Sequence, residues 1–297
     1  MSIFMSDVIA QYDIFLKVER GLSELTRQAY KFDLKKFVEF LIKTHAKEPH
    51  LLKITKFDIK NYLSVLQMDR EYKSATICRT IASIRNFFKF CIEQEHLKWD
   101  PSTGIYTPKQ SQKLPIYLIE SELKKLFESP DKAELMGIRD YAIIVTLSYT
   151  GIRLKELVGL NCKSIDFERN TIKVFGKGSK ERLIPINSVA RAALVQYLDQ
   201  RKATGDQALF LNKFGKRLSG RSVENIVRKY VLKSGITKER VSPHKLRHTF
   251  ATLLHINEVD IIEIQRLLGH SAITSTQIYT HTNPLKLKKA VDTLVEL

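Results

Sequence analysis

Three short segments of this chain hold residue types that could seat and attack a phosphate. In Ser242-Pro243-His244-Lys245-Leu246-Arg247-His248, Pro243 suits the first turn of a helix and Ser242 suits its N-cap. His244 and Arg247 then stand at i and i+3 and share a face. An imidazole beside a guanidinium at a helix N-terminus makes a phosphate seat, because two donors and the positive end of the helix dipole converge there. A capping histidine with a solvated arginine would read the same way in this segment alone. In Thr150-Gly151-Ile152-Arg153-Leu154-Lys155-Glu156-Leu157, Arg153 follows a glycine that ends the apolar run 141–149. The core should therefore fix its position, and Glu156, one turn on, can orient it. The third segment is Leu268-Gly269-His270-Ser271, with Tyr279 nine residues beyond His270.

Metal chemistry is the first rival. His244 and His248 stand at i and i+4, with His255 beyond. Two histidines on one helix face can ligate zinc, but residue 245 is lysine where a zinc peptidase would keep a glutamate base, and no cysteine lies nearby. No metal is expected, and no cofactor.

The elements that must position these residues follow from apolar spacing. Residues 1–108 read as four helices, with stripes Val8-Ile9-Tyr12-Phe15-Leu16, Tyr30-Leu34-Phe37-Val38-Leu41, Ile59-Tyr62-Leu63-Leu66 and Ile77-Ile81-Ile84-Phe88-Ile92. Ser23 should cap the second helix, and Thr55 with Asp58 should open the third. Arg79, Arg85 and Lys89 lie off the apolar stripe of the fourth, where they form either a solvated face or a set of phosphate contacts. Trp99-Asp100-Pro101 breaks that helix, and a stretch rich in Pro, Lys, Ser and Gln runs to residue 115. We place one domain at 1–108 and a second at 109–297. The second should hold helices near 121–127, 138–148, 188–202 and 220–234, then helix again from His244 onward. Strands at 164–167, 171–175 and 182–186 should form a small antiparallel meander. The fold class is therefore mainly α with a small antiparallel β-sheet.

Charge points to the partner. Forty-nine Lys and Arg against 32 Asp and Glu give a net charge of +17 and a pI near 9.7. The surplus is +4 over residues 1–108 and +13 over the remainder. Such a surplus draws a protein to a polyanion through counterion release, without choosing a sequence. Three cysteines without a CxxC pair read as reduced thiols, and no apolar run of 18 residues is present to suggest a membrane span.

Taken in order, TGIRLKEL, a lysine in the hairpin Gly176-Lys177-Gly178-Ser179-Lys180, then HKLRH, LGH and a tyrosine nine residues on resemble the tyrosine recombinase/integrase family, most closely its Xer branch. The resemblance implies a two-domain tyrosine recombinase fold: a four-helix core-binding (SAM-like) module, then a mixed catalytic domain, the two clamping double-stranded DNA. It assigns catalytic roles to Arg153, Lys177, His244, Arg247, His270 and Tyr279. Arg153 and Arg247 would grip the non-bridging oxygens of the scissile phosphate, with His244 as a third donor. Tyr279 would be the nucleophile, Lys177 the general acid, and His270 a further phosphate or proton-transfer partner. Glu156 would support the site from behind. The reaction would need neither metal nor ATP, because the phosphotyrosine conserves the bond energy.

The resemblance further implies a homo- or hetero-tetramer on two DNA sites and a Holliday junction between strand exchanges. The tail 283–297, with Leu285, Leu287, Val291 and Leu294, would dock on a neighbouring subunit or pack on its own domain. Resolution of chromosome or plasmid dimers, with a DNA translocase as a possible activator, fits the Xer branch. A transposon- or plasmid-borne integrase is the alternative. The protein would work in the cytoplasm at the nucleoid. A type IB topoisomerase would share the residue set, but the compact N-terminal module weighs against it. A non-enzymatic DNA-binding protein would explain the charge and not the six positions in register.

Overall fold

The computed structural model describes residues 3–69, 72–108, 116–176, 181–201, 205–238 and 241–269. The chain divides into two compact units, Met1–Gln112 and Lys113–Leu297.

The first unit is built from α1 (Met5–Val18), α2 (Glu24–His45), α3 (Lys56–Met68) and α4 (Ser74–Glu93). Local chemistry sets the starts of two of them. Ser23 Oγ accepts from the Thr26 N–H at 3.3 Å to cap α2. Thr55 and Asp58 cap α3 reciprocally, the carboxylate accepting from the Thr55 N–H at 2.8 Å. The apolar stripes meet in one core, where the rings of Tyr12, Phe15 and Phe90 pack with centroids 4.8–6.3 Å apart. Burying each such side chain stabilises the unit by about 1.5–3 kcal/mol. Asp33 of α2 is only 3% exposed. Arg79 of α4 forks onto it at 2.9 and 2.8 Å, and Ser83 Oγ adds a third bond at 2.9 Å. A buried carboxylate requires such pairing, so this one pins α2 to α4.

The second unit runs α5 (Glu120–Glu128), α6 (Leu135–Thr150), α7 (Leu154–Gly159), β1 (Ile165–Asp166), β2 (Thr171–Phe175), β3 (Glu181–Pro185), α8 (Ser188–Gln200), α9 (Gly220–Lys233), α10 (Pro243–Ile256) and α11 (Ile261–Leu268). The sheet is antiparallel in the order β1-β2-β3, with Val174 paired to Arg182 and Thr171 to Pro185. Ile143, Ile144, Val145 and Leu147 of α6 are completely buried. A helix that is apolar all round is one enclosed by neighbours, and α6 is the pillar on which α8 and α10 pack. Its one strongly polar pair, Arg139 with Asp140, is spent inside the unit: Arg139 donates to Asp140 and to the Leu211 carbonyl, and the Tyr230 hydroxyl donates to Asp140 at 3.1 Å.

Three features differ from what the sequence predicts. The helix expected from 138 begins at Leu135, and a short α7 follows it that apolar spacing alone does not announce. The helical stretch from residue 243 is broken at Asn257–Asp260, where Glu258 takes a left-handed φ of 65°. Among the described residues no helix is long and apolar enough to cross a membrane.

Candidate active site

The site begins where α6 stops. Gly151 ends that helix in a left-handed conformation with φ 60°, and a Cβ there would come within 2.3 Å of the Phe250 ring. Only glycine fits. The turn it makes buries Ile152 and places Arg153 at the N-cap of α7 in extended backbone. Glu156, in the first turn of α7, accepts from the Arg153 backbone N–H at 2.7 Å and from Arg153 Nη1 at 3.0 Å. Arg153 Nη2 donates to the Gly269 carbonyl at 2.9 Å.

The second arginine arrives from α10. Pro243 stands at its first position, but the Ser242 side chain makes no capping hydrogen bond; the expected cap is supplied by backbone geometry alone. One turn in, Arg247 is 3% exposed and donates from Nη1 to the Gly151 carbonyl and from Nη2 to the Leu268 carbonyl, both at 2.6 Å. Both guanidinium groups are thus anchored on the carbonyls that end α11, a helix terminus whose partial negative charge favours cations. Gly269 closes α11 with φ 62°.

His244 sits one turn before Arg247 and keeps an edge open to solvent. Partial burial, then the positive charges of Arg247, Lys245 and Arg153, lower its pKa from the ordinary 6.5. Its Nε2 lies 3.1 Å from His248 Nε2, so one ring donates to the other. Arg153, His244 and Arg247 together line a cavity of about 330 Å³, with Lys155, Glu224 and Ser242 on its wall. A larger cavity of about 560 Å³, walled by Phe127, Tyr149, Phe250 and Leu253, contains none of the candidate residues. Its wall carries Lys124 and Lys132 beside Glu120 and Glu128 and no arginine, whereas the smaller cavity brings two guanidinium forks and an imidazole together, so the smaller one is the one equipped for phosphate chemistry.

Lys177, His270 and Tyr279 lie outside the described residues, as does the tail 283–297. No group of three or more metal-ligating side chains occurs among the described residues. In the first unit, Arg79 is engaged by Asp33, Arg85 reaches Thr107 Oγ1 at 3.3 Å, and Lys89 lies 3.9 Å from Glu93 with its side chain largely exposed.

One residue escaped the sequence reading. Arg182 of β3 donates from Nη1 and Nη2 to the two oxygens of Glu156 at 2.7 and 2.8 Å. Burial alone would raise the Glu156 carboxyl pKa. Hydrogen bonds from Arg182 and Arg153, with their charges, outweigh that and hold it below the ordinary carboxylate value. The available signal was alternation, since Arg182 falls on the same strand face as the buried Ile184 while Leu183 is 63% exposed.

Comparison with known proteins adds the context. Residues 117–286 match the phage integrase family, and residues 9–95 match the phage integrase N-terminal SAM-like domain. The chain is 38% identical over 280 residues to tyrosine recombinase XerD of Oceanobacillus iheyensis, covering 92% of this chain and 93% of that protein. Tyrosine recombinase XerD of Listeria monocytogenes is also 38% identical, over 292 residues, with 96% of this chain and 97% of that protein covered. Among solved structures, XerH site-specific recombinase in a post-cleavage complex with a palindromic difH substrate is similar with a TM-score of 0.78 and 27% identity. That match covers 97% of this chain and 85% of the other.

Proposed function

The chain belongs to the phage integrase family and is a site-specific tyrosine recombinase, and on that footing we propose how its own residues cut and rejoin DNA. The Tyr279 hydroxyl attacks the scissile phosphorus as its proton passes to the neutral imidazole of His270. A bond forms between the tyrosine oxygen and phosphorus, and the bond from phosphorus to the 5′-oxygen breaks, leaving a 3′-phosphotyrosine. Lys177 gives its proton to the departing 5′-oxygen. Arg153 and Arg247 fork onto the non-bridging oxygens, where charge accumulates in the transition state, and their anchoring on the end of α11 means that little reorganisation accompanies the reaction. His244, held neutral at pH 7 by its surroundings, still donates one N–H to the same phosphate. His270, next in the chain after the Gly269 carbonyl that Arg153 holds, adds a further donor. Religation runs the same steps backwards, with a 5′-hydroxyl as nucleophile, so no nucleotide or metal is consumed.

The observation that carries this reading is the convergence of Arg153, His244 and Arg247 on one cavity from two distant segments of the chain. The finer assignments rest on the relatives. On the resemblance to the Xer branch we propose a tetramer on two DNA sites, exchange through a Holliday junction, and resolution of chromosome or plasmid dimers in the cytoplasm. Arg85 and Lys89 would touch the DNA backbone, and the tail 283–297 would join neighbouring subunits. The test is a nicked suicide duplex bearing the recombination site. A covalent protein–DNA adduct should accumulate in excess EDTA and fall away when the site is scrambled. An adduct that forms only after Mg²⁺ or Zn²⁺ is restored would contradict the mechanism.

A further inference from the structure

Arg182 and Arg153 share one carboxylate, and they share it unequally. Glu156 is 7% exposed and accepts four hydrogen bonds: two from the Arg182 fork, one from Arg153 Nη1 and one from the Arg153 backbone. That saturates the lone-pair sites of a carboxylate. Arg182 holds the end-on bidentate geometry, the stronger way to pair a guanidinium with a carboxylate. Arg153 is left with a single side-chain contact to Glu156 and one to the Gly269 carbonyl. Of its five N–H groups, three remain for another ligand. The charges add up to the same conclusion. One carboxylate between two guanidinium groups leaves a net positive charge, and the arginine with the exposed side chain is Arg153 (41%, against 16% for Arg182).

We infer that Arg182 is a positioning residue that takes up the charge and the fork-binding edge of Glu156, leaving Arg153 cationic and open toward the scissile phosphate. This rests on the reading of Arg153 as a phosphate-gripping residue. Arg182 itself does not touch DNA: Nη1 and Nη2 are both spent on Glu156, and Nε is shut away from solvent. Without it, the buried carboxylate has one cation left and draws Arg153 into a neutral, closed pair. The same side chain packs against Gly269, where a Cβ would lie 3.0–3.1 Å from the guanidinium. Arg182 stands in β3, so it links that strand to the Arg153 turn and to the end of α11.

The experiment is single-turnover cleavage of the nicked suicide duplex, with site binding and thermal unfolding measured on each variant. Arg182→Ala should slow cleavage by about 10–100-fold, the scale on which groups that orient a binding residue count, with a much smaller loss of site affinity. Arg182→Gln, which keeps an amide donor and much of the side-chain volume but loses the charge and the fork, should be slowed as well and guards against misfolding of the alanine variant. Arg182→Lys should recover part of the rate. The distinguishing arm is the double variant Arg182→Ala/Glu156→Gln, which removes the uncompensated carboxylate and should cleave faster than Arg182→Ala alone. A folded Arg182→Gln that cleaves at the wild-type rate overturns the inference. So does a slow Arg182→Ala that Glu156→Gln fails to relieve. Arg153→Ala is the control for the underlying reading: if it cleaves normally, the phosphate assignment itself is wrong, whatever Arg182 does.

Discussion

Replacing Arg247 should damage the fold and the chemistry together, whereas replacing Arg153 should damage the chemistry almost alone. Arg247 is 3% exposed and satisfies the Gly151 and Leu268 carbonyls at 2.6 Å each. Truncation to alanine strands both acceptors, and each buried group left without a partner costs about 1–3 kcal/mol. Water entering the vacated space relieves part of this, so a loss of about 2–3 kcal/mol is expected, or roughly 5–10 °C in the melting temperature of a unit this size. Arg153 has a side chain 41% exposed, and Glu156 keeps Arg182 when it is removed. Its loss should cost at most about 1 kcal/mol of stability, as for a partly solvated pair. Both variants should nevertheless cleave about 10²–10³-fold more slowly, the usual cost of deleting one transition-state donor. The assay pairs thermal unfolding with single-turnover cleavage at 25 °C, below both melting points. Equal melting temperatures for the two variants, or near-normal cleavage by either, would refute the assignment of a double role to Arg247 and a single one to Arg153.

Lys177→Ala should be severely slow on an ordinary phosphodiester and recover on a substrate with sulfur at the 5′-bridging position, because a thiolate leaves without protonation; rescue of Lys180→Ala instead would move the acid three residues along the hairpin. Gly269→Ala should lower stability by about 1–2 kcal/mol through its left-handed φ of 62°, and should slow cleavage by displacing Arg182; unchanged melting and cleavage would show that the α11 terminus tolerates movement. His244 has a depressed pKa, so the unfolded chain binds more protons than the native one between that lowered value and 6.5. Wild-type stability should therefore fall relative to His244→Asn as pH drops through this window, and parallel pH curves for the two proteins would remove the basis for a neutral His244.

Much of this site is legible in the sequence, for definite reasons. Arg153 can be placed because Gly151 ends the apolar run 141–149, and His244 and Arg247 because Pro243 fixes a helix start four residues before the arginine. The strand pairs follow from alternation, and the Ser23 and Thr55 caps follow from side-chain chemistry within three residues. What spacing hides is the long-range partner. Arg182 lies 26 residues from Glu156, and alternation, which puts it on the inward face with Ile184, does not say which carboxylate it meets there. Arg79 reads as a surface cation on α4 until α2 brings Asp33 against it, 46 residues away in sequence. The left-handed Gly151 and Gly269 can be suspected as helix ends, but their contacts with Phe250 and Arg182 depend on how helices and strands pack.

The most direct test of the central claim is the covalent bond itself. Wild-type protein trapped on a nicked suicide duplex should give an adduct that survives denaturant, disappears on proteolysis, and maps by mass spectrometry of the DNA-linked peptide to Tyr279. Tyr279→Phe, which removes one hydroxyl and no charge, should bind the same duplex with nearly unchanged affinity and form no adduct. A denaturant-stable adduct in Tyr279→Phe, or a DNA-linked peptide that does not contain Tyr279, would contradict the account.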